Sequence, residues 1–118
     1  MSHVTTIKTE ISNLESFKMA CHRLDLTVEK ISENQYLLAV PGSRRLVTAT
    51  CQSDGNYTLA TDYWGADGKA IIDHCGNNFG KLKQLYSLEE SRTWAIKNGY
   101  SMYEEQAEDE VIRLTIEV

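Results

Sequence analysis

"LVTATCQSDGNYTLATDYW", residues 46–64, decides what kind of protein this chain forms. In "LVTATC" (46–51) Val47, Ala49 and Cys51 share one face of an extended chain. In "YTLATDYW" (57–64) Tyr57, Leu59, Thr61 and Tyr63 do the same. Successive side chains of a strand point to opposite faces, so this period of two marks half-buried strands. Between the runs stands "SDGN", where Asp54-Gly55 suits the positive φ angles of a tight hairpin turn. The stretch predicts two antiparallel strands joined by a turn.

Working outward, the same two periodicities recur. Thr5, Ile7, Thr9 and Ile11 alternate along "TTIKTEI" (5–11), a strand pattern. Ser12 followed by Glu15 has the capping-box spacing, and Leu14, Phe17, Cys21 and Leu24 then recur at helical spacing, predicting a helix over about 13–24. "LTVEK" (26–30) and "YLLAV" (36–40) read as short strands, the second broken by Pro41-Gly42. A helix is expected over about 69–86, weakened where Gly76, Asn77, Asn78 and Gly80 cluster. "SLEE" (87–90) repeats the capping pattern and starts a third helix, about 88–98, that stops at Gly99. "YSMYEEQ" (100–106) and "VIRLTIEV" (111–118) close the chain as a hairpin around "AEDE". The expected fold is α+β: a mainly antiparallel sheet of about six to seven strands packed with three helices. Residues 13–30 and 87–105 read alike as capped helix, short link and strands, which suggests duplicated helix-hairpin units.

The totals bound the function. A chain of 118 residues reads as one domain and can bury about two-thirds of its unfolded surface. Hydrophobic content of 42% and charged content of 25% are those of an ordinary soluble protein. No apolar run approaches the roughly 20 residues that span a bilayer, and "MSHVTTIKTE" offers no apolar signal stretch, so a cytoplasmic protein without membrane contact is expected. Three cysteines at irregular spacing (Cys21, Cys51, Cys75) are no disulfide framework. A net charge of -5 argues against nucleic acid, which needs a basic face. Arg44, Arg45, Lys81, Lys83, Arg92 and Lys97 read as solvated surface.

Motif chemistry narrows it further. "IIDHCGNNFGKLKQLY" (71–86) resembles a phosphate loop only superficially: it is one residue short, ends in Leu82 and lies inside a helical pattern. Cys21-His22 and His74-Cys75 would make an acceptable tetrahedral zinc set. Adjacent helix residues, however, point about 100° apart, and both cysteines lie on apolar stripes, where free cysteine behaves as a small hydrophobe. Neither a metal nor a cofactor is expected. No catalytic serine, histidine or cysteine arrangement is visible. The carboxylates Glu104, Glu105, Glu108, Asp109 and Glu110 read as a solvated turn that could still attract a basic partner. Tyr57, Tyr63 and Trp64 gather near a strand end. Tyr57 and Tyr63 read as sheet core, and Tyr63 and Trp64 are also candidates for a binding surface, because aromatic residues combine a large apolar area with a polar tip.

The chain resembles the Ycf35-like (DUF1257) family of small proteins from cyanobacteria, plastids, other bacteria and phages. The resemblance rests on "MSHVTTIKTEI" before a capped helix, then "YTLATDYWG", "LKQLYSLEESRTWAIKNGYSMYEE" and "IRLTIEV" in that order. It covers both ends and most of the chain; residues 31–56 depart from it. It implies an accessory role beside ring-forming ATPases of the AAA type, with no enzymatic activity attached. The matching site candidates are His3, Lys8, Asp62, Trp64 and Tyr86.

Two functional expectations follow. The first is an adaptor that binds another protein through the aromatic strand end. The second is a ligand-binding domain or enzyme with a pocket between sheet and helices, using Asp62 and His3 if the first strand lies beside strand 57–64. The last strand is also a natural place for a second copy to pair.

Overall fold

The turn at Asp54-Gly55 forms as its residues dictate. Gly55 takes φ +87°, and its N–H donates to Gln52 O at 2.9 Å. The Asp54 carboxylate accepts from Asn56 N–H at 2.9 Å. The turn joins β4 (Leu46–Cys51) to β5 (Tyr57–Asp62), which pair antiparallel with Ala49 opposite Leu59. The computed structural model describes residues 4–106 and 111–117.

Three further strands extend this hairpin: β1 (Val4–Lys8), β2 (Thr27–Ser32) and β3 (Gln35–Ala39). The order is β1-β5-β4-β3-β2, every pair antiparallel. The alternation read from the sequence sets the faces. Tyr36, Leu38, Val47, Ala49, Tyr57, Leu59 and Thr61 are buried on one side. Leu37, Ala39, Thr48, Thr50, Thr58 and Ala60, on the other, are only half-buried.

Helices α1 (Leu14–Arg23), α2 (Gly65–Cys75) and α3 (Gly80–Lys97) cover the buried face. Phe17 stacks on Tyr57 with ring centroids 5.7 Å apart, and Cys21, Ile71, Cys75, Phe79 and Leu82 complete the core. The uncovered face carries short, mostly uncharged side chains, with Lys8, Glu29 and Asp62 at its margins. Among the described residues no helix is long and apolar enough to cross a membrane.

The architecture is α+β and antiparallel, with three differences from the sequence reading. First, the strands do not form one sheet. Among the described residues β6 (Ser101–Gln106) and β7 (Ile112–Glu117) pair only with each other, as a ribbon that lays Met102, Ile112 and Leu114 against the rest of the core. Second, the helix break falls at 76–79 rather than at 87. Gly76, Asn78 and Phe79 take φ of +85°, +52° and +60° around a 3-10 turn (Asn77–Phe79), which ends α2, and α3 then runs unbroken through Ser87. Ile72, Cys75, Phe79, Leu82 and Tyr86 are spaced in the sequence like one buried helix face. Cys75, Phe79, Leu82 and Tyr86 are buried, but Ile71 rather than Ile72 is the buried residue of α2, and the row spans two helices instead of one. Third, α1 is capped by Asn13 rather than Ser12: Asn13 Oδ1 accepts from the N–H groups of Glu15 (3.0 Å) and Ser16 (3.3 Å). The helix-then-hairpin order does recur in α1-β2-β3 and α3-β6-β7, but the first hairpin lies inside the large sheet and the second outside it.

Candidate functional site

The site candidates separate to the two ends of β1. At one end Val4 is paired with Asp62, where β5 leaves the sheet; at the other Lys8 is paired with Thr58. The four residue steps between them span about 14 Å at the strand rise. β1 does lie beside β5, as the pocket reading required, but His3 lies outside the described residues, as do Glu108, Asp109 and Glu110.

At the first end the chain is held firmly. Asp62 Oδ1 accepts the Trp64 N–H at 2.8 Å, a local Asx turn. Arg45 Nη1 donates to the carbonyls of Asp62 (2.8 Å) and Trp64 (2.5 Å), with the Asp62 carboxylate 3.9 Å away. Arg44 N–H donates to the Asp67 carboxylate at 2.9 Å, tying the preceding loop to the first turn of α2. Gly68 fits under this corner: a Cβ there would meet the Tyr63 carbonyl at 2.0 Å. The result is an indole 66% exposed on a backbone with little freedom. Tyr63 points the other way. Its ring lies 6.0 Å from Phe79, its hydroxyl is buried without a hydrogen-bond partner among the described residues, and burial, then the neighbouring Cys75, raise its pKa. Tyr57 is core. Of the aromatic cluster, Trp64 alone is presented to solvent.

At the second end Lys8 and Tyr86 meet. They line one groove of about 680 Å³ with Thr9, Glu10, Lys83 and Glu90. The Tyr86 hydroxyl accepts from Ser12 N–H (3.1 Å) and Asn13 N–H (3.0 Å) and donates to Glu90 Oε1 (2.7 Å). Its hydrogen-bonding capacity is therefore taken up in positioning the start of α1. The groove holds two cations and two carboxylates without a nucleophile paired to a base.

The cysteines sit where the apolar stripes place them. Cys21 and Cys75 are fully buried; burial is the main cause that pushes their thiols up to about 12 and about 11. His74 donates from Nε2 to the Leu24 carbonyl, which joins α2 to the end of α1. Among the described residues no three His, Cys, Asp or Glu side chains are grouped to hold a metal.

One cluster escaped the sequence reading. Glu89, next to the Glu90 of the Ser87 capping pattern and given no role by the sequence, is 3% exposed inside α3. Arg23 Nη1 lies 3.1 Å from Glu89 Oε1, and Arg23 Nη2 lies 2.8 Å from Glu104 Oε2. Arg92 reaches Glu104 as well and lies 3.8 Å from Glu89 Oε2. Arg45 and Arg92, read as solvated surface, are thus both engaged, and Glu104 is a bridge rather than part of a solvated turn. Only the three-residue spacing of Glu89 and Arg92 hinted at this in the sequence.

No protein-family model, no curated protein and no solved structure matches this chain.

Proposed function

We propose that the protein is a binding module that acts by contact with another protein, with Trp64 as the anchor of that contact. The observation that supports this reading is the indole, 66% exposed and carried on a backbone fixed by Asp62 and Arg45. Interface energy concentrates in a few aromatic and Arg anchors, and a preorganised anchor loses little entropy on binding. The uncovered sheet face beside it, short-chained and nearly uncharged, offers a surface of low desolvation cost. The resemblance to the Ycf35-like family suggests a ring-forming ATPase as the partner.

The test is affinity purification of the wild-type chain beside Trp64→Ala, then titration of the purified partner against both. The expected result is a stoichiometric partner whose affinity falls by about a hundredfold in the variant, the scale of an aromatic hot spot. The melting curve should stay unchanged. A partner held equally by both proteins overturns the assignment.

The meeting of Lys8 and Tyr86 in one groove of about 680 Å³ favours a second reading, a site for a small zwitterionic ligand between Lys83 and Glu10. A chain that purifies alone in both forms, and whose Lys8 and Lys83 resonances shift with an amino-acid library, would support that reading instead.

A further inference from the structure

The ribbon ends in a strand whose outer edge pairs with no other strand among the described residues. No backbone or side-chain hydrogen bond reaches β7 among the described residues except from β6. Such an edge is a template for another strand, and proteins usually blunt it with charge, bulges or short length. The other edges here are blunted against a second copy of themselves. Antiparallel pairing that keeps the same face on the same side sets residues of equal parity opposite one another. Near its centre β2 would oppose Glu29 to Glu29 or Lys30 to Lys30, and it carries an irregularity between Lys30 and Ser32. β6 would oppose Glu104 to Met102 or to itself, and β1 would oppose Lys8 to Val4.

β7 differs. With Thr115 at the centre, Arg113 falls opposite Glu117 of the second copy, twice by symmetry, and Leu114 falls opposite Ile116. Within the ribbon Arg113 faces Glu105 while Glu117 faces only Ser101, so Glu117 gains its charge partner in the pair. The apolar row would gain as well. Ile116 is 41% exposed beside Trp94, 52% exposed, across a groove of about 390 Å³.

We propose that β7 pairs antiparallel with β7 of a second copy about a two-fold axis at Thr115, making a four-stranded sheet and a dimer. The interface is isologous, so each contact occurs twice.

Sedimentation equilibrium of the full chain across a dilution series tests this. Wild type is expected to dimerise. Arg113→Glu and Glu117→Arg each place like charges opposite one another at two symmetric positions and should weaken the dimer on the order of tenfold. The double variant Arg113→Glu/Glu117→Arg swaps the charges across the axis and should dimerise more tightly than either single variant, although position 113 then opposes Glu105 within each ribbon. Mild oxidation should crosslink Thr115→Cys through the axis. It should not crosslink Arg113→Cys, whose two copies would stand about 14 Å apart, four residue steps along the strands. That trapping keeps the proposal testable if a charge variant fails to fold. A monomeric wild type, which would leave the edge to a strand of a different protein, overturns the proposal. So does a double variant no tighter than the single ones, or crosslinking that ignores position.

Discussion

The Tyr86 hydroxyl accepts the backbone N–H of Asn13 at 3.0 Å, across 73 positions of chain. It accepts Ser12 N–H as well, so one phenol serves two donors at the start of α1, where backbone N–H groups have no partner within the helix. Tyr86→Phe removes that acceptor and takes a donor from Glu90. The expected cost is about 1–3 kcal/mol in urea unfolding, the scale of buried groups left unsatisfied. Trp64→Ala should cost no more than about 0.5 kcal/mol, as expected for a surface substitution. Equal losses from the two would mean that Tyr86 acts through packing alone.

Glu104 binds the ribbon to the helices through Arg23 on α1 and Arg92 on α3. A two-stranded ribbon is marginal on its own, so its attachment decides whether it stays folded. Glu104→Gln keeps the shape and removes the charge. Amide exchange in β6 and β7 is expected to speed up about tenfold, the scale of a partly exposed ion-pair network, while β3, β4 and β5 keep their protection. Uniform acceleration over the whole chain would show that the ribbon and the large sheet open as one unit.

Gly68 and Gly55 are glycines for different reasons. Gly55 sits at φ +87° with open space around it, so an added methyl meets only backbone strain. Gly68 would place a Cβ 2.0 Å from the Tyr63 carbonyl, where backbone has to move. Gly55→Ala should therefore cost about 1 kcal/mol and Gly68→Ala about 3 kcal/mol or more. Thermal melts of the two variants beside wild type give the comparison directly. Similar losses would place the Gly68 constraint in conformation rather than space.

How much of this was visible in the sequence depends on the range of the forces involved. The β4-β5 hairpin was readable because Asp54-Gly55 and the two alternating runs are local. The inward row of Cys75, Phe79, Leu82 and Tyr86 was readable because burial follows apolar spacing. Gly76, Asn77, Asn78 and Gly80 marked the weak point inside that row, but not that the helix ends there, because Phe79 has no intrinsic preference for its φ of +60°. Its ring sits 6.0 Å from Tyr63, and that packing accompanies the strained backbone. Ser87 shows the converse: a capping pattern is silent when the preceding turn stays helical. The split into two sheets, and the burial of Glu89 between Arg23 and Arg92, depend on residues far apart in the chain. The corner that presents Trp64 was half visible. The Asp62-to-Trp64 turn is local, but Arg45, which holds it, arrives from a loop that read as plain surface.

Cys21 and Cys75 give the chain a pH-sensitive stability with a defined sign. Both thiols are fully buried, and burial is the main cause that lifts them from the ordinary 9.0 to about 12 and about 11. A group whose folded pKa is raised contributes stability that is fully present below its unfolded value and lost as pH climbs towards the folded one. Between roughly pH 9 and pH 11 the unfolded chain therefore releases two protons that the folded chain retains, and stability should fall by up to about 3 kcal/mol per pH unit. Urea unfolding across that range measures the slope. Cys75→Ala should halve it, at a separate and pH-independent cost for the lost packing. The same burial predicts that a thiol reagent labels Cys51 in the native protein while Cys21 and Cys75 react only as the chain unfolds. A flat stability profile through pH 11, or rapid native labelling of all three thiols, would mean that α1 and α2 part easily enough to admit water to the core.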